Sequence, residues 1–249
     1  MCGRFALIAD KDDIEALLAL LDLEAFPPRY NIAPTQPILL VIAGPRRDPG
    51  SNLPDRRALL VRWGLIPGWI KNPAELKPLF NARAETAAEK ASFKAAMRHR
   101  RALIPASGFY EWRRDGSSRP QAYWVRPRHR KPIVFAGLME TWAEPGGSEI
   151  DTGAILTTDA NATIRYIHDR MPVVIDPPDF SRWLDCVNHE PRDVADLLKP
   201  ADPDFFEAIP VSDKVNKADN TGPELHDPVV LAEPTPKPAV KGSEQLTLF

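Results

Sequence analysis

The sequence predicts an α+β fold: a single domain in which a curved, partly barrel-like mixed/antiparallel β-sheet is flanked by helices. Three observations predict it. Short β-like apolar runs outnumber helical windows. The two kinds do not alternate regularly, as they would in a doubly wound parallel protein. No internal repeat breaks the chain before its composition changes near Leu225.

Residues 10–26 read as a helix. Ile14, Leu17, Leu18 and Leu21 share one face, acidic residues fill the first turn, and Pro27-Pro28 stops it. Apolar runs at 38–43, 58–66, 102–105, 122–125, 133–138, 154–157 and 173–175 read as strands. Residues 86–98 form a second helix candidate, with Phe93, Ala96 and Met97 available for packing. Further helices are expected near 179–187 and 192–198, each just after a proline. The expected organisation is a folded domain over 2–225, a Pro-rich flexible linker over 226–242 and a terminal peptide over 243–249.

Composition narrows the function. The chain has 249 residues, a net charge of −2 and two cysteines, Cys2 and Cys186. Two cysteines give neither a disulfide framework nor a zinc spacing, so no metal or cofactor is expected and the chain suits a reducing cytoplasm. Asp10, Lys11, Asp12 and Asp13 interrupt any N-terminal signal run, and no stretch reaches membrane-span length. Cys186, in Trp-Leu-Asp-Cys-Val, is expected to be a buried helix residue. Charge is uneven: residues 56–131 carry 18 Lys/Arg against 5 Asp/Glu, leaving 14 against 29 elsewhere. Trp63, Trp69, Trp112 and Trp124 are interleaved with those cations. That pattern suits single-stranded nucleic acid, with cations on phosphates and rings on bases, and equally a solvated basic face.

Cys2 carries the sharpest chemistry. Removal of Met1 leaves a 1,2-aminothiol. Its amine (reference pKa about 8) condenses with an aldehyde, and its thiol (about 8.5) closes onto the imine as a thiazolidine. The plain reading of a lone terminal cysteine is a buried or frayed end. Four further segments stand out: residues 29–35, a polar turn; 81–86, opening the second helix; 108–112, ending a strand; and 168–172, preceding one. Singly, an Asn at a helix start is a cap and a lone His is structural.

Together these segments closely resemble the SRAP family, SOS response-associated peptidases that process abasic sites. The resemblance runs from Cys2 to about Leu225 through MCGRF, RYNIAPTQ, WGLIP, NARAET, GFYEW, IHDRMPV and VSDKVN. It implies that Cys2 captures the ring-opened aldehyde of an abasic site in single-stranded DNA, with Asn81, Glu111 and His168 around it. In that scheme Glu111 moves a proton from the amine, His168 protonates the departing oxygen, and Asn81 holds the terminus or sugar by hydrogen bonds. The resemblance also implies DNA contacts at Arg4, Trp63, Arg83, Trp112, Thr157 and Arg170. Glu85 follows the motif, and its plain reading is an ion pair that orients Arg83. Core packing is the competing place for Trp63 and Trp112. One position departs: Ala91, beside Lys90, stands where some relatives carry a basic residue. The resemblance further implies self-cross-linking rather than ordinary turnover, with lyase-like Schiff-base steps and an autopeptidase activity that would release Met1, a release that ordinary aminopeptidase processing explains equally well.

Gln245, Leu246, Leu248 and Phe249 resemble a bacterial sliding-clamp-binding peptide. Leu and Phe would fill apolar pockets and Gln would bond at the rim. A frayed end is the alternative. Two other functions stay open. An N-terminal-nucleophile hydrolase also starts Met-Cys-Gly, and a non-covalent reader of modified or single-stranded DNA would leave Cys2 incidental.

Overall fold

β-Branched and aromatic runs at period two make strands the main element, and each sheet buries the face that carries them. The computed structural model describes residues 2–45, 50, 55–114, 119–144 and 146–231. Its strands are β1 (Arg4–Leu7), β2 (Arg29–Ile32), β3 (Pro37–Ala43), β4 (Arg56–Trp63), β5 (Asn81–Arg83) and β6 (Arg101–Ala106). They continue with β7 (Gly108–Arg113), β8 (Gln121–Pro127), β9 (Ile133–Ala143), β10 (Glu149–Asp159), β11 (Arg170–Pro172) and β12 (Phe206–Pro210). The helices are short: α1 (Lys11–Leu18), α2 (Ala84–Ala87), α3 (Lys94–His99), α4 (Ala162–Arg165) and α5 (Phe180–Leu184).

The strands form two sheets. One is antiparallel, in the order β12-β8-β7-β1-β2. In the other, β10, β4, β3, β6 and β9 close into a partial barrel. The expected curved, barrel-like α+β architecture is therefore the one present. A chain of aromatic rings fills the space between the sheets. Phe5 of β1 meets Trp63 at 5.1 Å and Phe135 at 6.2 Å, and Phe109 meets Phe135 at 6.2 Å and Phe206 at 5.6 Å, all edge-on. Such pairs each add about 1 kcal/mol beyond the area they bury.

Several elements differ from the sequence expectation. The first helix stops at Leu18, because Ala19 turns left-handed (φ 49°) and the Glu15 side chain takes the N–H of Leu23 at 2.6 Å instead of serving another helical turn. The helix expected over 86–98 is broken between α2 and α3. Asn81 does not open a helix but starts β5, which runs parallel to β10. Residues 192–198 form a 3₁₀ segment, Pro191–Leu197. Cys186 follows α5 and is only partly buried. Residues 173–175 extend the β11 path through a bridge, Val174 to Phe135, and bonds from Ala136 and Ile175. Packing continues past Leu225, where His226 stacks on Trp124 at 3.9 Å and Val229 bonds Pro210. Among the described residues no helix is long and apolar enough to cross a membrane.

The turn from β6 into β7 needs glycine. A Cβ at Gly108 would press into the Val125 carbonyl and come within 2.6 Å of the Trp124 ring. Gly108→Ala is expected to destabilise the fold by about 2–3 kcal/mol through this overpacking, read as a lower urea midpoint at unchanged m-value.

Candidate functional site

Within the antiparallel sheet β1 pairs with β7, Arg4 opposite Tyr110. Cys2 precedes that pairing and is fully buried, its thiol resting 3.6 Å from the Arg4 carbonyl. The Asn81 amide nitrogen, at the start of β5, donates to the Cys2 carbonyl at 2.8 Å. The Asn81 Oδ1 is buried and has no donor among the described residues. An unsatisfied buried acceptor costs about 1–3 kcal/mol, and such atoms mark sites that await a ligand or a chemical change.

Glu111 of β7 is buried beside this group. Burial pushes its carboxyl up to about 7, against the pull of the positive amino terminus. Burial also pushes the Cys2 thiol well above its ordinary value, and the Glu111 charge adds to that. His168 lines the same cleft as Glu111, a space of about 690 Å³ that Trp112, Arg114, Ile167, Asp169 and Asn216 also border. Burial lowers the imidazole below its ordinary value, with the amino terminus second, while Asp169 opposes. His168 Nδ1 accepts the Arg170 backbone N–H at 2.9 Å and also stands 3.0 Å from Asp169 Oδ1. The first contact needs a lone pair on Nδ1 and the second needs a proton there, so they compete. With the imidazole held neutral by burial, the Arg170 contact assigns the proton to Nε2.

The structure thus brings Cys2, Asn81, Glu111 and His168 together. The residues expected at DNA are placed less uniformly. Trp112 borders the cleft, its indole N–H bonded to Asn216 at 2.7 Å. Arg83 is exposed, with no hydrogen bond or ion pair among the described residues. Arg4 is half-buried and bonded to Asn31 and to the Val215 and Asn216 carbonyls. Trp63 is wholly in the core, its N–H satisfied by the Phe80 carbonyl at 2.9 Å. Thr157 is fully buried, its hydroxyl 3.4 Å from the Ala82 carbonyl. Glu85 pairs with Arg170 at 2.8 Å rather than orienting Arg83. The clamp-like residues Gln245, Leu246, Leu248 and Phe249 lie outside the described residues.

Sequence reasoning missed Asp169 and Asp159, and it missed Asn31. Asn31 is nearly wholly buried and donates to the Val215, Lys217 and Asn220 carbonyls, fixing the C-terminal segment to β2. Its presence in RYNIAPTQ beside the late VSDKVN was the available signal. No cluster of three or more metal-ligating side chains exists among the described residues.

The SOS response associated peptidase (SRAP) family matches residues 1–218. The abasic site processing protein YoqW of Bacillus subtilis is 39% identical over 228 residues, covering 90% of this chain and 98% of that protein. The abasic site processing protein HMCES of Xenopus tropicalis is 30% identical, over 94% of this chain and 80% of its own. A solved protein structure from Bacteroides thetaiotaomicron superposes with a TM-score of 0.77 at 24% identity, covering 92% of this chain and all of that one, a likeness of fold.

Glu111 makes stability depend on pH. Its carboxyl holds a proton in the folded state up to about 7, whereas the unfolded chain releases it near the ordinary 4.5. Folding stability therefore falls as pH rises between those values. Glu111→Gln removes this slope. Its stability relative to the parent protein is expected to rise by up to about 3 kcal/mol between pH 4.5 and pH 8, read from urea midpoints. A flat difference would assign Glu111 an ordinary pKa.

Proposed function

The chain belongs to the SRAP family, and from that membership we propose that it captures abasic sites in single-stranded DNA through a covalent bond to Cys2. The observation that carries the reading is the gathering of three side chains near Cys2. The Cys2 backbone is held by Asn81 at 2.8 Å, beside a Glu111 carboxyl raised to about 7 that lines one cleft with His168.

The chemistry follows from those positions. Loss of Met1 makes the Cys2 nitrogen the chain's terminus. The Glu111 carboxylate takes a proton from the ammonium, and the free amine adds to the aldehyde carbon to give a carbinolamine. The protonated Glu111 returns its proton to the hydroxyl, which accepts a hydrogen bond from His168 Nε2–H; water leaves, and the resulting iminium gives its N–H proton back to Glu111 to become the imine. The thiol sulfur then bonds to the imine carbon while its proton passes to nitrogen, closing a thiazolidine. One water is lost overall. The raised thiol pKa makes the amine the first nucleophile and the thiol the second. Reversal retraces the same steps through Glu111 and His168. Self-release of Met1 by the same groups fits the peptidase description of the family.

Arg83, Arg4 and Trp112 supply the DNA contacts in this reading: cations for phosphates, an indole for a base or sugar. Trp63 and Thr157 act from the core, as supports for the cleft wall. Covalent capture shields the lesion during replication, at a nucleoid location in the cytoplasm. The terminal Gln245, Leu246, Leu248 and Phe249 add a docking peptide for the sliding clamp, tethered by the Pro-rich segment.

Intact-mass spectrometry after incubation with single-stranded abasic DNA, without borohydride, tests the reaction. The expected product is the sum of protein lacking Met1 and DNA minus one water, absent with Cys2→Ala and with undamaged DNA. Glu111→Gln and His168→Ala are each expected to slow capture by about 10²-fold. No adduct from correctly processed protein would remove the reading. For the tail, a peptide of the last ten residues is expected to bind the clamp in a titration, and deletion of Leu248 and Phe249 to abolish it. No binding at high micromolar clamp would sink that proposal.

A further inference from the structure

We propose that Glu85 is a positioning residue for His168, acting through Arg170. The Arg170 side chain is 8% exposed and is gripped from two sides. Its Nη1 donates to Glu85 Oε1 at 2.9 Å and Asp159 Oδ1 at 2.6 Å. Its Nη2 donates to Glu85 Oε2 at 2.8 Å and the Thr157 carbonyl at 2.6 Å. These bonds take up the Nη1 and Nη2 donors of Arg170, and Arg83, whose charge also bears on Glu85, offsets the second carboxylate. The grip fixes the residue itself.

The fixed residue controls the imidazole. The Arg170 backbone N–H is the donor that holds His168 Nδ1 at 2.9 Å. Asp169 Oδ1, at 3.0 Å, competes for the same nitrogen and wins only when Nδ1 carries a proton. Glu85 therefore decides which partner prevails. With Arg170 clamped, Nδ1 is the acceptor and Nε2 bears the hydrogen that the capture reaction uses. With Glu85 neutralised, only the exposed Asp159 carboxylate and one carbonyl hold Arg170. Residue 170 then shifts and Asp169 takes Nδ1–H. Glu85 lies just beyond β5, which carries Asn81, so one short segment places both the Cys2 carbonyl and His168. Among the described residues, the charges bearing on His168 include Asp169, Arg114 and the amino terminus, with Glu111 lining the same cleft; Glu85→Gln changes none of these.

The first test needs no DNA. In ¹⁵N-histidine-labelled full-length protein, NMR is expected to show the Nε2–H tautomer for His168. In Glu85→Gln it is expected to show a shift toward Nδ1–H and a higher His168 pKa. An unchanged tautomer and titration would overturn the proposal. Asp159→Asn gives the same directions with smaller effect and serves if Glu85→Gln does not fold. The second test rests on the capture reading. Glu85→Gln is expected to slow single-turnover cross-linking about tenfold, with no further slowing in a His168→Ala background. Equal losses in both backgrounds would make Glu85 a general structural residue. Tighter binding of Glu85→Gln to undamaged single-stranded DNA, with a salt slope steeper by about 1, would make Arg170 a masked phosphate ligand instead. If the parent protein forms no cross-link, the capture reading fails, and the tautomer measurement still decides the role of Glu85.

Discussion

Strand β10 is the constraint on which both fold and site depend. Its first half closes the barrel, parallel to β4 on one edge and antiparallel to β9 on the other. Its second half carries β5 on the first edge and β11 on the second. Asn81 begins β5 and Arg170 begins β11, so one continuous strand sets the spacing between the two halves of the site. Close approach at the crossover needs Gly153, where a Cβ would come within 2.9 Å of Leu40. A side chain there would part β10 from its neighbours and disturb the site without touching it.

Burial then sets the chemistry. It drives the Glu111 carboxyl up and the His168 imidazole down, because each loses hydration of its charged form. The two groups move toward neutrality from opposite sides. A proton passes between such groups and a substrate with little thermodynamic penalty in either direction, as a reversible condensation requires. The same burial keeps the Cys2 thiol protonated, which orders the two nucleophiles of one residue.

Local pattern carried the strands and the short distances between motifs, since alternation and turn residues act within a few positions. It could not carry partners chosen across the fold. Glu85 is two residues from Arg83 and eighty-five from Arg170, yet it pairs with Arg170, because β10 brings β11 alongside the start of α2. Asn81 resembled a helix cap because Ala84–Ala87 is indeed helical just beyond it; that it sits in a strand instead depends on Ile155 being opposite. Trp63 looked like a cleft aromatic, but the inward side of β4 at its end faces Phe5 across the sheet interface. The family motifs named the four residues gathered around the Cys2 backbone; only three-dimensional packing separated cleft-lining side chains from those that brace them.

The same distinction reshapes the basic middle of the chain. Arg101 is buried and donates to the carbonyls of Trp183, Met97, Asp185 and His189, so its charge serves the ends of α3 and α5. Arg56 bonds the Leu18 carbonyl and Ser181, Arg98 pairs with Glu190, and Arg126 pairs with Glu207. Outside that stretch, Arg170 is held by two carboxylates. Part of the positive excess is therefore spent on ion pairs and carbonyl capping, and its surplus in the sequence overstates the charge offered to DNA. What remains beside the site is narrow: exposed Arg83 next to Asn81, and Arg114 on the cleft wall with Glu111 and His168. Under the proposed capture by Cys2, such a surface needs only to align one strand, because the bond, not the phosphate contacts, would supply the residence time.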